Sequence, residues 1–260
     1  MNLAAIAIRG SSGLHPEVET FISASYANIT DAGIITDLNN LVGSLKTNGL
    51  WTMQKAIYPI VGGNANAHRY NLKDVTQYPI TWIGTLTHDA NGVTGSGSGY
   101  GNTFIYPSAD LSLNNTHIGC YVNSGNNVGA YCDMGTCNAS NTNMLAMYIY
   151  TSGFQSYVND NGYVGVAPAT NTGFYVASRH ASNGGRIYKN GTNIGNTGVT
   201  SAARSTAPLT LLALNNNGSI SNVTNRRHAF YTVGDSLNDT QASNLYTAIQ
   251  AFQTARGRQV

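Results

Sequence analysis

From about residue 78 onward, the chain consists of short runs of β-branched and aromatic residues separated by glycine, asparagine and serine. Side chains of the first kind pack well on a pleated sheet, whereas Gly, Asn and Ser favour turns. Many short strands at such spacing are typical of an all-β sandwich or barrel. The runs that predict strands include residues 80–83, 118–122, 145–150, 173–177 and 209–214.

The clearest strand pair is predicted around Asn190-Gly191, which lies between the strand-like stretches 186–189 and 192–194. Both central residues of a two-residue hairpin turn need a positive φ, and Asn-Gly adopts this conformation at low cost. A tight hairpin is therefore expected here. No period of 20–50 residues repeats along the chain, which argues against a solenoid or a propeller.

Helical signals flank the β region on both sides. Pro16 suits the first turn of a helix, and two glutamates follow it near the positive end of the helix dipole. A second helix is predicted from Thr30 or Asp31 to Lys46, because apolar residues recur there at helical spacing. Such a helical pair cannot bury its apolar face alone, so it should pack on the β region.

Near the end of the chain, Asn238 and Gln241 have the spacing of a helix capping box. Apolar residues follow on one helical face, which predicts a C-terminal helix packed on the sandwich. The predicted organisation is an extended arm over 1–15, a helical segment over 16–62, a jelly-roll sandwich over 63–235 and a C-terminal helix over 236–260.

Charged residues account for only 9% of the chain, against about 25% in typical soluble domains. The net charge of +2 is too small and too dispersed to indicate nucleic-acid binding. The one close basic pair, Arg226-Arg227, is expected at a solvated strand edge. No window approaches the roughly 18 apolar residues of a membrane span. Neither nucleic acid nor a membrane is therefore an expected partner.

Carboxylates suited to sugar hydrolysis are scarce. Glycosidases need two carboxyl groups at the scissile bond, but no glutamate follows Glu19. No G-x-S-x-G elbow of a serine hydrolase occurs either. We therefore predict no catalytic residues and a non-enzymatic protein. The scattered aspartates of the β region are interpreted as turn residues, and they are Asp89, Asp110, Asp133, Asp160 and Asp235.

The three cysteines form one formal metal-binding set with a histidine, comprising His117, Cys120, Cys132 and Cys137. Four such ligands could hold tetrahedral zinc, but this spacing matches no zinc ribbon. His117 and Cys120 are an odd interval apart on a predicted strand, so their side chains should face opposite sides. Free thiols are favoured over zinc and over a Cys132–Cys137 disulfide, and no cofactor is expected.

Recognition through an aromatic, uncharged surface is the remaining possibility. The chain has 16 tyrosines, most of which are expected to fill the sandwich or its edges. The stretch 51–59 is predicted to form the seam between the helices and the sandwich, with an exposed docking patch as the alternative. The candidate interface residues are Trp51, Tyr58, Trp82 and Tyr188.

Several distinctive segments occur in the chain. They are Asn48-Gly49-Leu50-Trp51, Lys55-Ala56-Ile57-Tyr58-Pro59, Val61-Gly62-Gly63, Tyr70-Asn71-Leu72-Lys73-Asp74 and Leu111-Ser112-Leu113-Asn114-Asn115-Thr116-His117. These segments resemble virion structural proteins of tailed bacteriophages. The stretches 186–192 and 230–252 look like the concanavalin A-like or laminin-G-like jelly roll that those proteins carry. Together the similar segments span the chain from about residue 20 to its end.

The resemblance implies a mostly β chain, a concanavalin A-like jelly-roll β-sandwich with a helical N-terminal segment and a C-terminal helix. It also implies a non-enzymatic structural protein of a virion, as a head decoration, head fibre or tail-associated component. Such a protein would be made in the bacterial host cytoplasm, displayed on the outer surface of the virion, and bound to other virion proteins and to copies of itself. The alternative is a lectin-like receptor-binding module that recognises a host surface glycan.

Overall fold

The computed structural model describes residues 13–25, 29–125, 129, 131–150, 153–167 and 170–260. Residues 1–12, which make up most of the predicted arm, lie outside the described residues. Within the described part, the helices are α1 (Pro16–Ala24), α2 (Ala32–Thr47), α3 (Ala65–His68), α4 (Pro107–Asp110) and α5 (Asp239–Ala255), and a 3-10 turn covers Ala139–Asn141.

The predicted helix starts are confirmed. Asp31 caps α2, because its carboxylate accepts hydrogen bonds from the backbone N–H groups of Gly33 and Ile34. Asn238 and Gln241 form a complete capping box at the start of α5. In the part of the chain that the structure describes, no helix combines the length and apolar character needed to cross a membrane.

Many strands follow one another with short connections, as the turn residues predict, but long segments join β1 to β2, β5 to β6 and β13 to β14. Their bounds are β1 (Gln54–Tyr58), β2 (Thr81–Ile83), β3 (Leu86–Asp89), β4 (Gly92–Gly95), β5 (Tyr100–Asn102), β6 (Thr116–Ser124), β7 (Cys132–Asn138), β8 (Thr142–Tyr150), β9 (Gly153–Asp160), β10 (Val164–Val166), β11 (Gly173–Ala181), β12 (Gly184–Lys189), β13 (Thr192–Thr197), β14 (Thr210–Leu211), β15 (Leu214–Asn216), β16 (Ser219–Ser221) and β17 (Arg227–Gly234).

These strands form two sheets. The first sheet has the order β13-β12-β11-β6-β17-β4-β3, and β1 also pairs with β17. The second sheet has the order β10-β9-β8-β7-β14-β5-β2, with β15 beside β7 and β16 beside β15. The pairings are antiparallel apart from β15 with β7. The predicted hairpin is confirmed between β12 and β13, where Asn190 and Gly191 have φ values of 49° and 75°.

The sheets pack face to face and the helices form a third layer. Residues such as Tyr175 and Tyr231 from the first sheet and Met147 and Phe154 from the second fill the space between the sheets. The apolar faces of α1, α2 and α5 cover the outer face of the first sheet, as predicted for elements that cannot bury that face alone. The outer face of the second sheet has no such helical cover among the described residues.

The segment 51–59 forms the predicted seam. Trp51 is 8% exposed and packs in the cluster between the helices and the first sheet, so the alternative of an exposed docking patch there is wrong. Strand β1 lies inside the segment 16–62 that was expected to be helical. It joins the first sheet instead, because its residues pair with β17 from Gln54 opposite Gly234 to Tyr58 opposite Tyr231.

The stretch 70–80, which we call the strap, runs along the free edge of β1. The backbone N–H of Leu72 donates to the carbonyl oxygen of Ile57 at 2.7 Å. The Asn71 side-chain oxygen accepts from the N–H of Ile57 at 2.9 Å. Unpaired groups on a strand edge invite pairing with other chains, so the strap protects this edge.

Candidate functional site

A polar cluster lies sealed between the sheets. Asp133 accepts a hydrogen bond from His228 Nε2 at 2.9 Å and lies 3.6 Å from the Arg226 guanidinium. His228 Nδ1 in turn lies 2.5 Å from the Tyr231 hydroxyl. All four side chains are fully buried. The expectation that Arg226 lies at a solvated edge is therefore wrong, and so is the interpretation of Asp133 as a turn residue.

A second buried ion pair joins Asp160 and Arg179 at 2.5 Å. The Arg179 guanidinium also donates to the carbonyl oxygens of Ser182 and Val199, each at 3.0 Å. Asp160 is 2% exposed at the end of β9, so its interpretation as a turn residue is also wrong. A buried charge is stable only when it is paired and hydrogen-bonded. Both carboxylates are thus committed to arginines and face no solvent.

The residues of the formal metal set are separated by the fold. His117 lies on the outer face of the first sheet, with Nε2 3.1 Å from Thr232 Oγ1, whereas Cys120 points into the core between the sheets. Cys132 and Cys137 lie on the outer face of the second sheet. All three cysteines are buried free thiols. Within the described ranges, no cluster of His, Cys, Asp or Glu side chains could hold a metal ion.

Three of the four predicted interface residues are inaccessible. Trp51 lies at the seam, and Tyr58 and Tyr188 are fully buried. Tyr58 donates its hydroxyl to the Tyr78 carbonyl, and Tyr188 donates to the Leu237 carbonyl beneath α5. These side chains stabilise the fold and cannot contact a partner directly. Trp82 is half-buried on β2, at one edge of the second sheet.

The best candidate for a binding surface lies at the opposite edge of the second sheet, on β8, β9 and β10. Alternation along β8 places Tyr148 and Tyr150 on the outer face, and Tyr157 on β9 shares that face. Tyr163 precedes β10 and is 53% exposed. The centroids of the Tyr148 and Tyr157 rings are 6.0 Å apart, and those of Tyr157 and Tyr163 are 5.8 Å apart. We call these four residues the tyrosine surface. Tyr148 is 5% exposed, so the rings that a ligand can reach are those of Tyr150, Tyr157 and Tyr163.

Two glycines position the rings of the tyrosine surface. A Cβ atom on Gly153 would lie 2.7 Å from the Tyr150 ring, and one on Gly165 would lie 3.3 Å from the Tyr163 ring. Each ring therefore lies against the bare backbone of a neighbouring residue. The Tyr150 and Tyr163 rings are thus packed close to the backbones of β9 and β10.

The tyrosine surface is uncharged but rich in hydrogen-bonding groups. Gln155 lies opposite Tyr148 and Gly165 on the neighbouring strands, and its side chain is half-buried. Burial raises the pKa of the Tyr148 and Tyr157 phenols, so both stay protonated at neutral pH. The surface can thus offer aromatic faces, hydroxyls and one amide. It suits a ligand with apolar faces and many hydroxyl groups.

The sequence carries a local signal for part of this surface. The segment Tyr148-Ile149-Tyr150 alternates tyrosine with a core residue, and a strand places residues i and i+2 on one face. Its continuation by Tyr157 and Tyr163 depends on the pairing of β8, β9 and β10. Strand order and register were not predicted, so the four tyrosines could not be grouped.

Acid should destabilise this fold, because burial lowers the pKa of His68, His117 and His228. For His117 the pKa falls from 6.5 to about 4. The unfolded chain therefore takes up this proton below pH 6.5 while the folded chain does not, so stability is lost as the pH falls. His117 alone should cost about 2 kcal/mol between pH 7 and pH 5.

Urea unfolding of the wild type and of His117→Gln at both pH values tests this prediction. Glutamine does not titrate, so the variant should lose about 2 kcal/mol less than the wild type over the same interval, whatever its stability at pH 7. An identical loss in the two proteins would contradict it.

Comparisons with known proteins bear on the fold. No protein-family model and no curated protein matches the sequence of this chain. Solved structures do match. Domain 4 of AbnA, a GH43 extracellular arabinanase from Geobacillus stearothermophilus, is similar with a TM-score of 0.51 and 12% identity. The match covers 74% of this chain and 98% of that domain, which was solved in complex with arabinotriose. The fold is a jelly-roll-like β-sandwich.

The binding domain of botulinum neurotoxin DC is similar as well. Its complex with rat synaptotagmin II matches with a TM-score of 0.54 and 12% identity, over 77% of this chain. Its complex with SialylT matches with a TM-score of 0.54 and 11% identity. The match covers 52% of the toxin binding domain, so this chain spans about half of that domain's length. Identities this low establish the architecture alone.

Proposed function

We propose that this chain is a non-catalytic binding module that recognises a glycan through the tyrosine surface. The observation that carries the proposal is a cluster of tyrosines on the outer face of β8–β10, in which Tyr163 is 53% exposed, Tyr150 and Tyr157 are half-buried, and Tyr148 is buried among them. The C–H face of a sugar ring packs on an aromatic face, while phenol and amide groups bond its hydroxyls. Two similar folds solved with arabinotriose or with SialylT lend support.

The buried carboxylates support the non-catalytic part of the proposal. Asp133 and Asp160 lie in the sheets near this region, but each is fully or almost fully buried and paired with an arginine. Glycoside hydrolysis needs one carboxyl group that donates a proton and a second that acts as nucleophile or base. Neither aspartate can reach a substrate on the surface.

Removing one accessible ring of the tyrosine surface should remove most of the glycan affinity. Tyr163→Ala and Tyr157→Ala should each weaken binding up to about tenfold, since one stacked ring is worth roughly 0.5–1.5 kcal/mol. The matched control is Tyr106→Ala. Tyr106 is 39% exposed, so the same ring is removed from an accessible position, but this residue lies at the start of α4, outside the tyrosine surface.

The measurement begins with an array of neutral oligosaccharides and continues with calorimetric titration of the best ligand. The proposal is supported if Tyr163→Ala and Tyr157→Ala lose affinity while Tyr106→Ala keeps it. It is wrong if no glycan is retained on the array, or if the three variants bind alike.

A second candidate function is a structural component of a bacteriophage virion, acting through contacts with other virion proteins and with its own copies. The segments at 48–63 and 70–74, which resemble such proteins, form β1 and part of the strap in this fold. In this proposal the protein is made in the bacterial cytoplasm and displayed on the particle surface. Immunogold labelling of intact particles tests it, because label on the head or tail supports the proposal and absence from denatured particles contradicts it.

A further inference from the structure

The accessible rings of the tyrosine surface lie at two separate places. Tyr157 and Tyr163 lie side by side, with ring centroids 5.8 Å apart. Tyr150 lies at the other end of the surface, where it pairs with Gly153 at the turn between β8 and β9. Tyr148 lies between the two places, but it is 5% exposed and offers little aromatic area to a ligand. A ligand therefore finds one aromatic contact at each end of the surface.

The register of β8 and β9 determines the distance between these two places. Tyr157 on β9 pairs with Ala146 on β8, and Tyr150 lies four residues further along β8. An even offset keeps both tyrosines on the outer face. At about 3.4 Å per residue, the two places are about 14 Å apart along the strands. A single sugar ring is too short to contact both, whereas a chain of about three sugar residues spans this distance.

The outer face between the two places is polar and partly without side chains. Gln155 lies on this face, because it pairs with Tyr148 on β8 and with Gly165 on β10. Its half-buried amide can donate to one sugar hydroxyl and accept from another. Gly165 is exposed, and a glycine inside a strand often marks a place where a ligand approaches the backbone closely. The middle of a bound sugar chain would lie over these two residues.

The lack of charge on β8, β9 and β10 further restricts the ligand. Asp160 is the only charged residue in the stretch 142–167, and it is buried in its ion pair with Arg179. A charged sugar would lose part of its hydration on these strands without gaining an oppositely charged partner from them. The tyrosine surface therefore favours a neutral sugar chain over an acidic or an amino sugar.

We propose that the tyrosine surface binds an extended, neutral oligosaccharide that bridges its two aromatic places. One sugar residue packs on Tyr157 and Tyr163, another packs on Tyr150, and the chain between them lies over Gln155. This inference rests on the proposed function and adds the class of ligand, which is a linear chain rather than a single or terminal sugar. A ligand that makes both contacts loses its freedom of motion only once, so the second contact adds to the affinity.

Oligosaccharides of increasing length test this inference. Calorimetric titration uses cello-, xylo-, manno- and arabino-oligosaccharides, each from the monosaccharide to the pentasaccharide. In a series that binds, the affinity should rise about two- to tenfold between the disaccharide and the tetrasaccharide, which is the contribution of one further ring, and then level off. Equal affinities for the disaccharide and the pentasaccharide would overturn the inference but leave the proposed function intact. If no series binds, both are wrong.

Variants at the two places then locate the contacts. Tyr150→Ala should weaken binding of the pentasaccharide about two- to tenfold and should affect the disaccharide less, whereas Tyr163→Ala should weaken both. Tyr150→Phe keeps the ring and should keep the affinity for the pentasaccharide, and Tyr106→Ala is again the control outside the surface. A thermal unfolding curve of each variant verifies that it is folded.

The Tyr150 variants also separate the inference from the proposed function. If Tyr150→Ala and Tyr150→Phe both bind the pentasaccharide as the wild type does, while Tyr163→Ala loses affinity, the bridging ligand is overturned and glycan binding at Tyr157 and Tyr163 remains. A loss in Tyr150→Ala that is equal for the disaccharide and the pentasaccharide would overturn it as well, because the effect would then not depend on the length of the chain.

Discussion

Replacing Arg226 with methionine should lower the free energy of unfolding by about 3–5 kcal/mol, the range measured when one partner of a buried ion pair is removed. The guanidinium is fully buried and donates to the carbonyl oxygen of Ile149 at 2.6 Å and to that of Asn171. It also lies 3.6 Å from the Asp133 carboxylate. Methionine fills the space but leaves the carboxylate and both carbonyl groups without this partner.

Arg227→Met is the matched control, because it makes the same side-chain change at the neighbouring position. Arg227 is half-buried and its one described hydrogen bond joins Nε to Asn123 Oδ1 at 3.0 Å. Its replacement should cost about 1 kcal/mol or less. Urea unfolding of both variants measures the difference. Losses of the same size in the two variants would show that the buried cluster does not stabilise the fold.

Replacing Gly95 with alanine should cost about 3 kcal/mol, because overpacking a rigid site forces the backbone to move. A Cβ atom at this position would overlap the carbonyl oxygen of Thr224. The Gly95 N–H donates to the Arg226 carbonyl at 3.0 Å, so the two backbone segments are fixed against each other. The segments around Gly95 and Arg226 cannot move apart to make room for the Cβ atom without breaking this hydrogen bond.

Gly198→Ala makes the same chemical change where there is room. A Cβ atom on Gly198 has no neighbour within 4 Å. Alanine there should stabilise the chain by a few tenths of a kcal/mol to about 1 kcal/mol, since it restricts the unfolded chain. Thermal and urea unfolding should therefore shift in opposite directions for the two variants. A shift of the same sign and size in both would contradict the predicted overlap at Gly95.

Local sequence patterns correctly predicted the helix caps and the hairpin turn, because these features depend on interactions between neighbouring residues. The cap at Asp31, the capping box at Asn238 and Gln241, and the Asn190-Gly191 turn each involve residues within a few positions of one another. Their hydrogen bonds and backbone angles are largely determined by those residues themselves. The mostly β class followed from the same kind of pattern.

Local sequence patterns do not predict contacts between residues that lie far apart in the chain. Arg226 has a polar sequence neighbourhood that is typical of a surface, and only the packing of the two sheets brings it against Asp133 and Ile149. The edge strand β1 was missed for a related reason, because its partner β17 is almost at the other end of the chain. The tyrosine surface required the register of three strands.

The three-layer arrangement has a consequence for how this protein would act in an array. Because α1, α2 and α5 cover the first sheet, copies attached to a common support through the helical layer would all direct the tyrosine surface outward. A weak single contact then becomes a strong multivalent one, since each further contact forms at a high effective concentration. Avidity gains of roughly 10²–10⁴ arise in this way without any new contact within a single site.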